Sequence, residues 1–116
     1  MGKIGWHNIS RNLLPTEKSL IKIQIGGRDL CLTKIDGSFY AINDKCPHAG
    51  GSLSAGSCTN QGEVVCPLHK FHFSPKTGRN TKGEGLYVQT YPIRESDGKV
   101  EVGIKKKFWE RFLRRF

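Results

Sequence analysis

Between residues 19 and 25 apolar and polar side chains alternate, so that Ile21, Ile23 and Ile25 fall on one face of a strand. Gly26-Gly27 turns the chain, and residues 29–35 return as a second strand. Asp36-Gly37 is a dipeptide that accepts positive φ at both positions, and it predicts a tight hairpin into residues 39–43. Residues 63–65 and 71–73 read as two shorter strands, with a turn over residues 75–78. Residues 87–93 and 99–104 read as a last pair joined by Ser96-Asp97-Gly98. There is no internal repeat and no low-complexity linker. Many short strands separated by Gly-rich turns predict an all-β sandwich or barrel.

A chain of 116 residues is near the commonest size for one domain and leaves no room for a second, catalytic one. No run approaches the roughly 18 apolar residues of a membrane span. The start, Met1-Gly2-Lys3-Ile4-Gly5-Trp6, has no long apolar stretch of the secretory type, and Trp6 stands where a myristoylation signal wants Ser or Thr. A cytoplasmic protein is expected.

The formal charge of +9 is unevenly placed, because Lys105, Lys106, Lys107, Arg111, Arg114 and Arg115 face a single acid, Glu110, at the C-terminus. On a helix Phe108, Trp109, Phe112, Leu113 and Phe116 would share one side and the charges the other. The chain therefore divides into a domain over residues 1–104 and a basic amphipathic tail over residues 105–116. The tail suits packing on its own domain, docking to a partner, or a peripheral contact with a membrane surface. Basic residues concentrated in the tail argue against a nucleic-acid partner.

The candidate chemistry lies in two short segments. Cys46-Pro47-His48 is followed, after seventeen residues, by Cys66-Pro67-Leu68-His69. Each offers one thiolate and one imidazole, the donors favoured by iron, zinc and iron–sulfur clusters. Pro47 and Pro67 fix φ and stiffen the loops, while Gly50, Gly51 and Gly56 permit close backbone approach. Of the four cysteines, Cys46 and Cys66 stand beside histidines, and without a secretory signal metal binding is favoured over disulfides. Cys31, between Leu30 and Leu32, reads as a small buried hydrophobe, and Cys58 as a thiol with no role at the metal. A structural Cys2His2 zinc site is the rival reading, although zinc fingers usually pair Cys with Cys and His with His.

Cys46-Pro-His48-Ala-Gly-Gly and Cys66-Pro-Leu-His69 resemble the two cluster loops of Rieske-type 2Fe-2S ferredoxins. The stretch from Lys70 to Gly78 resembles the strand and turn that follow the second His in that family, and residues 83–93 are similar to the small-subunit branch of assimilatory nitrite reductases. The likeness covers about residues 4–104. It implies an antiparallel β-sandwich with a small two-loop cluster-binding subdomain. It also implies a 2Fe-2S cluster with Cys46 and Cys66 on one iron and His48 and His69 on the other. With the His residues at the loop tips, the histidine-bound iron should lie nearest solvent and form the electron exit. The resemblance further implies a one-electron carrier between protein redox partners: a reductase donor, and an oxygenase or reductase acceptor. The runner-up is a tightly held small subunit of a nitrite reductase-like or oxygenase complex.

Rieske proteins of respiratory complexes carry a disulfide across the cluster. The matching positions here are Gly51 and Leu68, which cannot pair. Those proteins also place Ser and Tyr hydroxyls after the second His, where this chain has Lys70-Phe71-His72, with Lys70 in place of the common Gly. Fewer donors to sulfur point to the low end of the Rieske potential range. A Rieske oxygenase would need a further mononuclear iron on two His and a carboxylate. Only His7 and His72 remain, in separate surroundings, so no catalysis is expected of this chain alone. His72, between Phe71 and Phe73, reads as a strand residue.

Overall fold

The structure, a computed structural model, describes residues 3–47, 50–68, 70–81 and 85–105. Among the described residues there are ten strands: β1 (Ile4–Ile9), β2 (Leu20–Ile25), β3 (Arg28–Ile35), β4 (Ser38–Asn43), β5 (Ser57–Cys58), β6 (Val64–Val65), β7 (His72–Phe73), β8 (Thr90–Tyr91), β9 (Ile93–Ser96) and β10 (Lys99–Lys105). They form three antiparallel sheets with orders β1-β10-β9, β2-β3-β4-β8 and β5-β6-β7. The expected all-β class is therefore the observed one. The C-terminal helix was expected from residue 105 on, and residues 106–116 lie outside the described residues.

Three turns set the registers of the long hairpins. Gly26-Gly27 (φ 59° and 77°), Asp36-Gly37 (φ 51° and 81°) and Asp97-Gly98 (φ 51° and 75°) each place two residues at positive φ. That backbone matches the twist of the strands it joins. It aligns Ile25 with Arg28, Ile35 with Ser38, and Ser96 with Lys99. The Asp36-Gly37 tip is further held by the Glu17 carboxylate, which accepts the N–H of Asp36 at 2.6 Å and of Gly37 at 3.1 Å.

The β2-β3-β4-β8 sheet is covered on both faces, and this places the candidate loops. Leu30 and Leu32 of β3, with Ala41 of β4, face a core shared with Ile9, Ile23, Tyr91, Val100, Val102 and Ile104. Ile21 and Ile25 pack against that core, as the alternation predicted. Cys31 and Ile42 point the opposite way, into a second core with Cys46, Leu53, Val64, Cys66, Phe73 and Val88. A strand buried on both sides loses the apolar–polar alternation, which explains the continuous run Leu30-Cys31-Leu32-Thr33, all buried. Each fully buried Leu contributes about 1.5–3 kcal/mol from removal of apolar surface.

One expected pairing is corrected. Residues 87–93 do not form one strand against residues 99–104. Thr90–Tyr91 pairs with β4, and only the short stretch after Pro92, Ile93–Ser96, pairs with β10. Proline has no N–H to give to a ladder, so Pro92 is a natural point for the chain to change sheets. Its carbonyl still accepts the Gly103 N–H at 2.8 Å. The N-terminal strand β1, paired along its whole length with β10, and the short β5 were not legible in the periodicity.

Candidate metal centre

The first loop leaves β4 at Asn43 and is clasped by Asp44. The Asp44 backbone N–H donates to Asp29 O at 3.0 Å, and its carbonyl accepts the Leu53 N–H at 2.6 Å. The buried Asp44 side chain closes the loop on itself: Oδ2 accepts from Ser52 Oγ at 2.7 Å and Oδ1 from the Ser54 N–H at 2.8 Å. Burial pushes this carboxyl up, but the hydrogen bonds from Ser52 and Ser54 outweigh it and leave it below the ordinary Asp value. Inside the clasp the Cys46 N–H donates to Gly51 O at 2.8 Å and the Gly50 N–H to Cys46 O at 2.9 Å. Gly50 sits at φ +74°, a conformation that lets the chain reverse within a few residues. Behind the loop, Gly56 is packed so tightly that a β-carbon there would lie 1.9 Å from Val65 O.

The second loop is the connection between β6 and β7. Cys66 follows directly on β6, and its N–H donates to Phe71 O at 2.8 Å, so residues 66–71 form a closed turn. Lys70 takes φ +55° in this turn, the left-handed conformation in which Gly is the easiest residue. Lys70, at the position where the resemblance expects Gly, thus takes a backbone conformation that Gly adopts most easily. Within the turn the Leu68 N–H lies towards the Cys66 sulfur and favours its charged form.

The two loops meet at sulfur. Cys46 and Cys66 are both buried, at 1% and 0% exposure, and share one core with their thiols beside one another. Gly51 of the first loop lies against the second, since a β-carbon there would be 3.5 Å from Cys66 Sγ. Burial pushes the Cys66 thiol up, the Leu68 N–H pulls it down, and the neighbouring Cys46 thiol pushes it up again. The neighbouring Cys46 thiol thus disfavours the charged form of Cys66. A thiophilic cation between them reverses that preference, because coordinated thiols bind as thiolates. The site therefore fits a group that takes two sulfur donors. Among the described residues no third Cys, His, Asp or Glu gathers with them.

His48 and His69, the expected nitrogen donors, lie outside the described residues. The other two histidines are placed in strands. His7 is in β1 opposite Val102, and His72 is in β7, where Nδ1 lies 3.1 Å from Glu63 Oε1. Cys31 is fully buried in the same apolar core as Cys46 and Cys66. Burial first, then Asp44 and Cys58, push its thiol up to about 12, so it is inert at neutral pH. Cys58 is half-buried in β5 beside the Thr33 hydroxyl. The Asp44–Ser52–Ser54 clasp was missed in the sequence. An Asp at a loop entry followed by two Ser is common in turns, and no local pattern distinguishes this trio from others.

Comparison with known proteins agrees with this geometry. Residues 7–92 match the family model of the Rieske 2Fe-2S domain. The ferredoxin component of the alkene monooxygenase system of Xanthobacter autotrophicus is 30% identical over 79 residues, 68% of this chain. That match spans 65% of the relative's length, just under two thirds. Among solved structures, the ferredoxin of carbazole 1,9a-dioxygenase from Nocardioides aromaticivorans IC177 superposes with a TM-score of 0.72 at 25% identity, over 82% of this chain and 92% of that one. A protein described as the NADH-dependent nitrite reductase small subunit of Mycobacterium tuberculosis shares the fold with a TM-score of 0.79 at 20% identity, over 90% of this chain and 99% of that one.

Proposed function

The chain belongs to the Rieske 2Fe-2S domain family, and from that premise we propose that it is a one-electron carrier between protein redox partners. The observation that carries this reading is the contact of two buried thiols, Cys46 and Cys66, delivered by two separate Cys-Pro loops. Cys46 and Cys66 would hold one iron, and His48 and His69 the other. The cluster, when bound, supplies a reversible one-electron couple.

The chain's own residues do the rest. Asp44, Ser52 and Ser54 fix the first loop, and the Cys66–Phe71 hydrogen bond closes the second, so the loop backbones hold both sulfurs in place. The Leu68 N–H stabilises negative charge on Cys66 sulfur. Leu53, Val64, Phe73 and Val88 surround the two cysteines with apolar side chains and keep water from the sulfur side. The electron donor is proposed to be a reductase and the acceptor an oxygenase or reductase, in the cytoplasm. Among the described residues no helix is long and apolar enough to cross a membrane. The tail, residues 105–116, is proposed as a contact element towards a partner or an acidic membrane surface.

Iron and sulfide analysis, with absorption and electron-spin-resonance spectra of the dithionite-reduced protein, tests the carrier reading. Two irons and two sulfides per chain are expected, lost in Cys46→Ser and Cys66→Ser. A colourless wild-type protein with one zinc would replace this reading with a structural zinc site. Co-purification with a larger subunit would mark a component of a complex in place of a free carrier. Deleting residues 105–116 should leave the spectrum intact and weaken association most at low salt. Unchanged association with a lower melting temperature would make the tail a structural cap.

A further inference from the structure

The surface formed by the two loops has a definite charge. Its exposed described residues are Lys45, Pro47, Gly50, Pro67, Leu68 and Lys70, with Leu68 at 49% exposure. The stem of Lys45 runs across the first loop, since a β-carbon on Gly50 would be 3.6 Å from its Cε. Lys70 projects from a backbone held at φ +55° inside the closed Cys66–Phe71 turn. The single carboxylate within these loops, Asp44, is buried with both oxygens engaged by Ser52 and Ser54. Two further carboxylates are also engaged: Glu63 with His72, and Asp29, which lines a cleft with Lys45, with Lys22 and Gln24. The exposed Leu68 therefore shares the loop face with two exposed lysines, with no unengaged carboxylate among the described loop residues.

From this arrangement we infer that the loop face docks a protein redox partner whose own face presents carboxylates around an apolar centre. The inference rests on the carrier reading above and names the partner's chemistry. Charges at such a rim act mainly on encounter rate and orientation. An apolar residue at the centre, here Leu68, gives the short-range contact that excludes water. Because both lysines belong to the two loops that carry the proposed cluster ligands, they should matter far more than equal charges elsewhere on the chain.

The test uses the reduced full-length protein and two small oxidants of opposite charge. Each event removes one electron from the protein, converting ferricyanide to ferrocyanide, or tris(phenanthroline)cobalt(III) to its cobalt(II) form. Oxidation by ferricyanide should slow as salt is raised, and oxidation by the cobalt complex should accelerate. Lys45→Glu combined with Lys70→Glu should cut the ferricyanide rate about tenfold at low salt and raise the cobalt rate, the scale expected of electrostatic steering. Lys99→Glu combined with Lys105→Glu, on exposed positions of β10, makes the same change in net charge and should have a much smaller effect. Equal effects of the two pairs, or no salt dependence, would overturn the docking face. Absorption spectra of every variant separate the two levels of the argument. A missing cluster spectrum in the wild type sinks the carrier reading itself, whereas intact spectra with equal kinetic effects sink the docking face alone.

Discussion

Leu68 packs directly over Gly51: a β-carbon on Gly51 would lie 3.0 Å from Leu68 Cδ1 and 3.1 Å from Cγ. These are the two positions that match the cross-cluster disulfide of respiratory Rieske proteins. The fold has kept them together and filled the space with one leucine. Their β-carbons are within reach of disulfide geometry. Gly51→Cys combined with Leu68→Cys should therefore oxidise to a disulfide and raise stability by about 2–4 kcal/mol. Thiol titration of the unfolded, non-reduced protein and a melting curve check this. No loss of titratable thiol would show that the loops are held too far apart for the bond.

Asp44 should be the most sensitive polar residue of the first loop. Asp44→Ala leaves the Ser54 N–H and the Ser52 hydroxyl without their acceptor. It should cost about 1.5–3 kcal/mol, the range for hydrogen bonds to a charged group. Asp44→Asn should recover much of the loss, since Oδ1 can still accept from Ser54 and the Ser52 hydroxyl can turn to accept. Chemical denaturation of the three proteins orders them. Equal stability of Asp44→Ala and wild type would remove the clasp from the account.

Glu17 links pH to the Asp36-Gly37 hairpin. The N–H groups of Asp36 and then Gly37 hold its carboxyl below the ordinary Glu value. A carboxyl lowered in the folded state contributes stability above its unfolded value and loses it as pH falls through the folded one. Melting temperature should decline on the acid side of that window, and Glu17→Gln should flatten this part of the profile. Parallel acid limbs in the two proteins would show that other groups set it.

Lys70 adopts a conformation that costs most side chains about 1–2 kcal/mol. Lys70→Gly should be tolerated without loss of stability. Lys70→Val, β-branched at φ +55°, should be clearly destabilising. A Val variant as stable as the Gly one would show that the turn readily relaxes to negative φ.

The reduction potential should fall near the low end of the Rieske span, roughly −150 mV. The described loops direct a backbone N–H, from Leu68, at Cys66 sulfur, while the nearby hydroxyls of Ser52 and Ser54 are occupied around Asp44. A redox titration followed by electron-spin resonance gives the value. A midpoint above about +100 mV would place additional donors at the sulfurs.

What the sequence by itself determined is local chemistry. Asp36-Gly37 and Ser96-Asp97-Gly98 dictate hairpins because positive φ at two adjacent positions suits few other residue types. The alternation of Ile21, Ile23 and Ile25 dictates which face of β2 meets the core. The spacing of Cys46 and Cys66, each followed by Pro, identified two loops that the fold does bring together at sulfur. The tertiary structure decided what depends on distant partners. Strand β1 pairs with β10 across almost the whole chain, Ile4 opposite Lys105, and no short-range pattern specifies that register. Thr90 and Tyr91 leave their neighbours to join β4, because Pro92 has no N–H to continue the ladder and the β4 edge accepts two more residues. Cys31 read only as a buried thiol, yet it shares one core with Cys46 and Cys66, because β3 is covered on both faces. Asp44 became the clasp of the first loop only when folding removed it from water. A buried carboxylate must find donors, and Ser52 and Ser54 were the ones that the closed loop placed beside it.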